Sequence, residues 1–223
     1  AILYRSNAQS RAIEEALLRA SIPYRIYGGL RFYERLEIKN AIAYLRIVFN
    51  NNDNPSFERS ISNPTRGVGE KTLAKIRQAA KKYNISYIKA SAKLIDEGSI
   101  SGRGGAGLRD YLEFIAGCKG FIEDNTLSDL MELIIKETGL YAYHAKEPGE
   151  KGKTRTENLE ELITATKNFE QSVKDDRTNI EITESYLDII SLDSGDRQAS
   201  EHDDAAQLMT MHSAKGLEFK LVL

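Results

Sequence analysis

The chain has 223 residues, enough to bury a sizeable core as one large or two small domains. Its net charge of −2, with 41% hydrophobic and 29% charged residues, is typical of a globular protein and gives no general basic excess for binding nucleic acid. One cysteine and three scattered histidines exclude an intrachain disulfide and a cysteine-based zinc site, and no apolar run or N-terminal segment resembles a membrane span or signal peptide. We therefore expect a cytoplasmic protein without a metal site, with Cys118 in the core and any nucleic-acid contact confined to local patches.

The first 27 residues predict one β-α-β unit. Residues 1–4 are apolar and β-compatible, and the next helix is predicted to place Ile13, Ala16, Leu17 and Ala20 on one face. Pro23 then precedes a short strand at residues 24–27. The pair Gly28 and Gly29 follows at once, and two glycines at this point predict a turn or a hinge.

A long helix with Ile38, Ala41 and Leu45 on one face follows, and from residue 56 to about residue 190 the pattern is almost entirely helical. The first long helix is predicted to end at the asparagine run 50–54. Residues 98–107 contain five glycines and predict a mobile loop or a helix-capping region rather than a nucleotide-binding loop, because no strand precedes them and no Gly-Lys-Ser/Thr follows. Thr183 is predicted to cap the last helix, and an acidic linker at 191–204 follows.

Residues 207–219, QLMTMHSAKGLEF, predict a short strand, then a turn of small and basic residues, then the start of a helix. Small side chains beside Lys215 allow a phosphate to approach the backbone, although an ordinary strand-to-helix turn has the same pattern. Residues 219–223 predict the beginning of another strand. A chain that begins and ends in apolar strand sequence predicts a piece of a longer polypeptide whose two ends share one sheet.

Residues 63–72, NPTRGVGEKT, lie between two predicted helices. A Gly-Val-Gly run at a helix N-terminus exposes backbone N–H groups where the helix dipole favours an anion, so this hairpin can hold a DNA phosphate without reading a base. A plain helix-helix turn is the alternative. The candidate contacts for duplex DNA are Thr65, Arg66, Gly67, Val68, Gly69, Lys71 and Thr72. Residues 146–155 are a second candidate backbone contact, for which composition alone favours a solvated loop.

Four stretches resemble the superfamily 1 DNA helicases of the UvrD/PcrA/Rep type. Residues 3–11, 32–46 and 210–219 are similar to the family's motifs IVa, IVb and V, in the same order and with matching spacing. Residues 149–162 are similar to a stretch of the family's helical insert, called 2B, and together with residues 24–29 they favour UvrD over Rep.

The resemblance implies a mainly α fold in which a helical insertion domain (2B) is flanked by strand-helix-strand pieces of a RecA-like α/β subdomain (2A). The expected boundaries are 1–28 for the first part of 2A, 29–206 for 2B and 207–223 for the second part of 2A with motif V. The intact protein is then expected to be an ATP-dependent 3′-to-5′ DNA helicase acting in DNA repair, in which 2B contacts duplex DNA and swivels about Gly28, Gly29 and the acidic linker.

The resemblance also assigns residues to ligands. Arg5, Asn7, His212 and Lys215 are expected along the single-stranded DNA track, and Glu218 at the ATP ribose; in the alternative, Arg5 pairs with an acid and Asn7 caps a helix. ATP and Mg²⁺ are expected cofactors of the intact enzyme. The 223 residues contain no Gly-x-x-x-x-Gly-Lys-Ser/Thr, so we expect no catalytic residue in this chain and no unwinding by it alone.

DNA is the expected partner, as a single strand and at a duplex junction, with DNA-repair proteins as further candidate partners and no membrane. Two other readings stay open. One is a helical protein-protein interaction module of a repair helicase, and the other is part of a helicase-nuclease subunit.

Overall fold

A computed structural model describes residues 1–173, 176–193 and 204–223. The prediction of a mainly helical fold with a small strand-containing part is confirmed. Most of the predicted acidic linker, residues 194–203, lies outside the described residues. No helix in the described ranges is long and apolar enough to cross a membrane.

The strand-containing part is a three-stranded parallel sheet. Its strands are β1 (Ile2–Tyr4), β2 (Tyr24–Ile26) and β3 (Ala206–Thr210), in the order β1-β3-β2. Leu208 on the central strand is aligned with Ile2 on one side and Ile26 on the other. The two ends of the chain therefore do meet in one sheet. Residues 221–223 extend its hydrogen bonding past the β1 edge, since the Leu223 N–H donates to the Ala1 carbonyl and the Leu3 N–H donates to the Leu223 carbonyl.

Helix α1 (Ser10–Arg19) joins β1 to β2 and covers the sheet. Leu17 packs with Tyr4, Tyr24, Ile26 and Leu208 in a small core of the sheet's own. The predicted helix face is only partly right, because Ala16 and Ala20 are exposed while Arg11 and Glu14 are buried. Arg11 is buried because it forms an ion pair with α9, described below, and Glu14 is buried because it accepts hydrogen bonds from the Ser10 hydroxyl and the Phe32 N–H.

The rest of the described chain is helical and has a second, larger core. Helix α2 (Leu36–Phe49) lies at its centre and packs against several of the others. The helices that surround it are α3 (Asn54–Ser62), α4 (Glu70–Tyr83), α5 (Tyr87–Asp96), α6 (Gly102–Asp124), α7 (Leu127–Glu137), α8 (Leu140–Ala145), α9 (Glu150–Ser172) and α10 (Asn179–Asp193). Cys118 is buried in this core, as predicted, and burial raises the pKa of its thiol to about 12.

Three local predictions are wrong. The glycines at 102–107 form the first turns of α6 rather than a loop, although Gly98, with a φ of +69°, does lie in the cap that ends α5. Residues 150–155 belong to α9 rather than to a solvated loop. Thr183 lies inside α10, where its hydroxyl donates to the Asn179 carbonyl, and the capping side chain is Thr178, whose hydroxyl accepts from the Glu181 N–H while Glu181 accepts from the Thr178 N–H.

Candidate nucleic-acid interface

The candidate residues for single-stranded DNA follow two neighbouring strands. Arg5 and Asn7 come directly after β1, and His212 and Lys215 come after β3. Because β1 and β3 are parallel neighbours, their carboxyl ends lie at the same edge of the sheet, which is where open α/β sheets bind ligands. Arg5, His212 and Lys215 are exposed and Asn7 is half-buried, so the fold brings these four residues to one accessible edge.

The turn after β3 is held by its own hydrogen bonds. The hydroxyls of Thr210 and Ser213 are 2.9 Å apart, and the Ser213 N–H donates to the Thr210 hydroxyl. The chain continues as a turn through Gly216, whose φ is +85°, and the helix predicted after this turn is absent from residues 211–223. His212 and Lys215 therefore project from an ordered turn. Glu218, the candidate ribose ligand, is exposed just beyond it.

The candidate hinge lies beside this turn. Gly28 has a φ of +73°, and a side chain there would approach the Ser213 hydroxyl at 3.6 Å. The preceding Tyr27 N–H donates to the Leu208 carbonyl at 2.8 Å, which extends the β2–β3 pairing to the residue before the glycines. The chain thus leaves the sheet at Gly28 and Gly29, next to the candidate single-strand residues.

The candidate duplex contact is the hairpin formed by residues 63–69 between α3 and α4. Thr65, Gly67, Gly69 and Lys71 are exposed, Thr72 is half-buried and Val68 is buried in the helical core. Gly67 has a φ of +75°, a backbone conformation that glycine adopts readily and other residues rarely do. Gly69 is the N-cap residue of α4, a position where glycine is also common. The hairpin therefore has two exposed glycines at the surface and is anchored in the helical core through Val68.

Arg66 points into the protein instead. Its guanidinium donates to the carbonyls of Ser60, Pro64 and Thr138 at distances of 2.8 to 3.2 Å. It also stacks over the rings of Tyr44 and Tyr111, at 5.4 and 5.7 Å from their centroids. Arg66 therefore ties the hairpin to α7 and the core, a role that its sequence position did not reveal.

The glycines of α6 allow the hairpin to lie directly on that helix. A side-chain carbon on Gly107 would sit 2.1 Å from the Arg66 carbonyl oxygen, and one on Gly104 would sit 3.0 Å from the Gly67 carbonyl oxygen. The first distance is too short for the backbone to stay in place, and the second would push the Gly67 carbonyl back by a few tenths of an ångström. The glycines at the start of α6 therefore pack directly against the backbone of the hairpin at Arg66 and Gly67.

A buried polar network joins the sheet part to the helical part. Arg35 is 8% exposed, and its guanidinium donates to the Asn7 carbonyl, the Ser10 hydroxyl and the Asn158 side-chain oxygen. Asn158 in turn donates to Glu37 at 2.6 Å. Burial lowers the pKa of Arg35, while the carboxylate of Glu14 opposes that shift.

A second contact joins the same two parts. Arg11 on α1 donates to Glu161 on α9 at 2.6 Å and to Glu15 on its own helix at 2.6 Å. The sequence did not predict either contact, because charged residues in amphipathic helices are normally solvated. The charged residues among the apolar positions of residues 32–46 are a signal for the Arg35 network but not for the pair of Arg11 with Glu161.

Residues 144–155 contain a compact charge cluster. The buried His144 donates from Nδ1 to the Glu147 carboxylate at 2.7 Å, and Arg155 donates to the same carboxylate. Hydrogen bonding from His144, then from Arg155 and Lys151, lowers the pKa of Glu147 to about 2. Arg155 is therefore committed to the interior, whereas the Lys151 side chain remains 67% exposed.

Comparison with known protein families assigns the sheet part and most of the helical part to a single family. The chain matches the UvrD-like helicase C-terminal domain over residues 1–99 and 117–223, and it belongs to that family. This agrees with the resemblance seen in the motifs.

The individual proteins that the chain resembles are DNA helicases. The chain is 46% identical over 222 residues to DNA helicase II of Escherichia coli (strain K12) and 46% identical over 224 residues to DNA helicase II of Haemophilus influenzae. It is 38% identical over 224 residues to the ATP-dependent DNA helicase PcrA of Bacillus subtilis (strain 168). All of this chain is covered in each case, but it spans only 31%, 30% and 30% of those relatives' lengths.

Proposed function

We propose that this chain is the DNA-contacting segment of an ATP-dependent 3′-to-5′ DNA helicase that acts in DNA repair. The observation that carries the proposal is the identity of 46% with DNA helicase II, which extends over the whole chain. The chain spans less than a third of that relative, so the motor activity belongs to a longer protein and not to these residues alone.

Within that protein, residues 1–28 and 207–223 are parts of the RecA-like subdomain 2A, and residues 29–206 are subdomain 2B. The division is supported by the two hydrophobic cores. The sheet core draws its residues from positions 2–26 and 206–208, and the helical core draws its residues from positions 32–190. The two sets meet the proposed boundaries except at Ala206, which the division assigns to 2B although it is the first residue of β3 and packs with the sheet core.

At the carboxyl edge of the sheet, Arg5, Asn7, His212 and Lys215 bind the single strand and Glu218 accepts hydrogen bonds from the ATP ribose. Accessibility at a shared edge supports this role. Hydrolysis of ATP bound with Mg²⁺ would supply the free energy for strand separation, and groups outside these 223 residues would hold its phosphates.

The single-strand assignment is tested by replacing His212 and Lys215 together with alanine in the full-length protein. Loss of the lysine contact is expected to weaken oligonucleotide binding and to lower the slope of log K against log salt by about 0.7. ATP hydrolysis should lose its stimulation by the oligonucleotide. A matched change, Lys119→Ala on the exposed face of α6, should alter neither quantity. Unchanged binding by the double variant would refute the assignment.

The hairpin binds duplex backbone through the exposed N–H groups around Gly67 and Gly69 and through Lys71 and Thr72. Lys71→Ala is the informative variant because Lys71 is exposed at the start of α4, whereas Arg66→Ala also removes internal hydrogen bonds. We expect Lys71→Ala to weaken binding of a blunt duplex and leave oligonucleotide binding unchanged. Equal duplex affinity at low salt would favour the protein-interaction reading of the helical part.

The helical part swivels relative to the sheet at Gly28 and Gly29. Positive φ at Gly28 and its position directly after β2 support this role. The buried contacts of Arg35 and Arg11 belong to one orientation and must open in any other. A crosslink that fixes the two parts in this orientation is expected to change the unwinding rate, and an unchanged rate would exclude the swivel.

A further inference from the structure

A cleft of about 480 Å³ opens where the sheet part meets the helical part. Its walls come from both sides of the joint. Asn7 follows β1, Gly29 belongs to the candidate hinge, Leu30 follows it, and the helical wall is formed by the first turns of α2 and α9. Arg35 and Asn158 of the buried network form part of its lining. Asn7 also belongs to the proposed single-strand edge, so the cleft continues that edge toward the helical part.

The charged side chains that line the cleft differ in how many hydrogen bonds and ion pairs they already form within the protein. Glu37 accepts from Asn158 and lies 3.6 Å from Arg155, and Arg35 is surrounded by hydrogen-bond acceptors. Lys151 has only a loose ion pair with Glu147 at 3.3 Å, and its side chain is 67% exposed. Such exposed pairs are worth little, so Lys151 is available to a ligand.

Two neutral donors in the lining have no hydrogen-bond partner within the described part of the chain. They are the side-chain amide of Asn7, whose bond with Arg35 is accepted by its backbone carbonyl, and the hydroxyl of Thr154. Thr154 lies one turn beyond Lys151 on the same helix, so both groups lie on one side of α9. Helix α9 begins after Gly149 without a side-chain cap, which leaves its positive dipole end beside these donors. Glu150 is the one acid in the lining that has no described ion pair.

We propose that this cleft binds one phosphodiester group of the single strand, held by Lys151, Thr154 and Asn7. An ammonium group, a hydroxyl and an amide donor suit a phosphate, and the three carry no sequence preference. The proposal rests on the proposed single-strand role of Asn7. Since Asn7 lies on the sheet side and Lys151 on the helical side, a strand bound here favours this orientation of the two parts.

The test uses the full-length protein and oligonucleotides in which one phosphate at a time is replaced by a neutral methylphosphonate. Lys151→Gln and Thr154→Val remove the two helical donors with little change of shape. Lys167→Gln is the control, because Lys167 is an exposed lysine about four turns further along α9 and does not line the cleft. Thermal unfolding of each variant is measured alongside binding.

Lys151→Gln is expected to weaken oligonucleotide binding about tenfold, as loss of one charge-assisted hydrogen bond does. At one position of the oligonucleotide, replacing the phosphate by methylphosphonate should weaken binding by the unchanged protein and by the Lys167→Gln variant. The same replacement should not weaken binding by the Lys151→Gln variant any further. Thr154→Val should show reduced sensitivity at that same position, with an unchanged melting temperature.

Two results separate failure of this site from failure of the proposed function. If the unchanged protein binds the oligonucleotide but Lys151→Gln and Thr154→Val match Lys167→Gln, the cleft is not a phosphate site, although the helicase proposal stands. If the unchanged protein binds no single strand, the proposed function is overturned and this inference with it.

Discussion

Arg66 lies in the predicted DNA-contacting hairpin, yet its guanidinium faces three carbonyls and two tyrosine rings inside the protein. We expect Arg66→Ala to lower the free energy of unfolding by about 2–3 kcal/mol, because it leaves acceptors without donors. Lys71→Ala, which removes an exposed cation from the same hairpin, should lower it by less than about 0.5 kcal/mol. Urea unfolding of both variants measures the difference, and equal stabilities would show that the inward contacts of Arg66 contribute nothing.

Glu147 gives a pH-dependent contribution with a defined sign. Its pKa falls from 4.5 to about 2 on folding because His144, Arg155 and Lys151 stabilise the carboxylate. A group whose pKa is lower in the folded state stabilises the fold above its unfolded pKa, and this contribution is lost as the pH falls from about 4.5 to 2. The carboxylate is partly solvated, so the expected contribution is about 1 kcal/mol.

Glu147→Gln should therefore be less stable than the unchanged protein at pH 7, and the gap should close between pH 4.5 and pH 2. Denaturant unfolding across that range measures it. Glu132→Gln is the matched control, because Glu132 forms an exposed pair with Lys136 on the surface of α7. A gap that stayed constant down to pH 2 would contradict the account of the cluster.

At the scale of elements, α6 makes the hairpin possible. Gly107→Ala would place a methyl carbon 2.1 Å from the Arg66 carbonyl oxygen and should cost about 1–3 kcal/mol of stability. Gly117 lies in the same helix with open space around it, so Gly117→Ala should be neutral or stabilise by up to about 1 kcal/mol. If the two alanine variants unfold at the same urea concentration, the close approach of α6 and the hairpin is wrong.

Elements with a regular apolar period were predictable from the sequence, and elements set by long-range contacts were not. The spacing of Ile38, Leu45 and Val48 identifies α2 because its buried face follows the helical period. Glycine normally opposes a helix, so the sequence did not predict the start of α6. Gly104 and Gly107 are explained by the hairpin backbone at Arg66 and Gly67, which is distant in the sequence. The same limit applies to the candidate site. Local motifs pointed to the candidate residues after β1 and β3, but they did not predict the inward direction of Arg66 or the cleft beside Lys151.

At the scale of the whole molecule, a helical body with its own core is joined to a small parallel sheet by a short link at Gly28 and Gly29 and by buried polar contacts. The proposed duplex-binding hairpin belongs to the helical body, and the proposed single-strand residues belong to the sheet edge. A junction between duplex and single strand would therefore contact both parts, which is the arrangement that a strand-separating enzyme requires.

The measurement that tests this account most directly is strand separation by the full-length protein on duplexes with either a 3′ or a 5′ single-stranded tail. With ATP and Mg²⁺ we predict release of the strand from the 3′-tailed duplex, none without ATP, and slower release when His212 and Lys215 are both replaced by alanine. Failure to separate either substrate with ATP present, or separation of the 5′-tailed duplex alone, would contradict it.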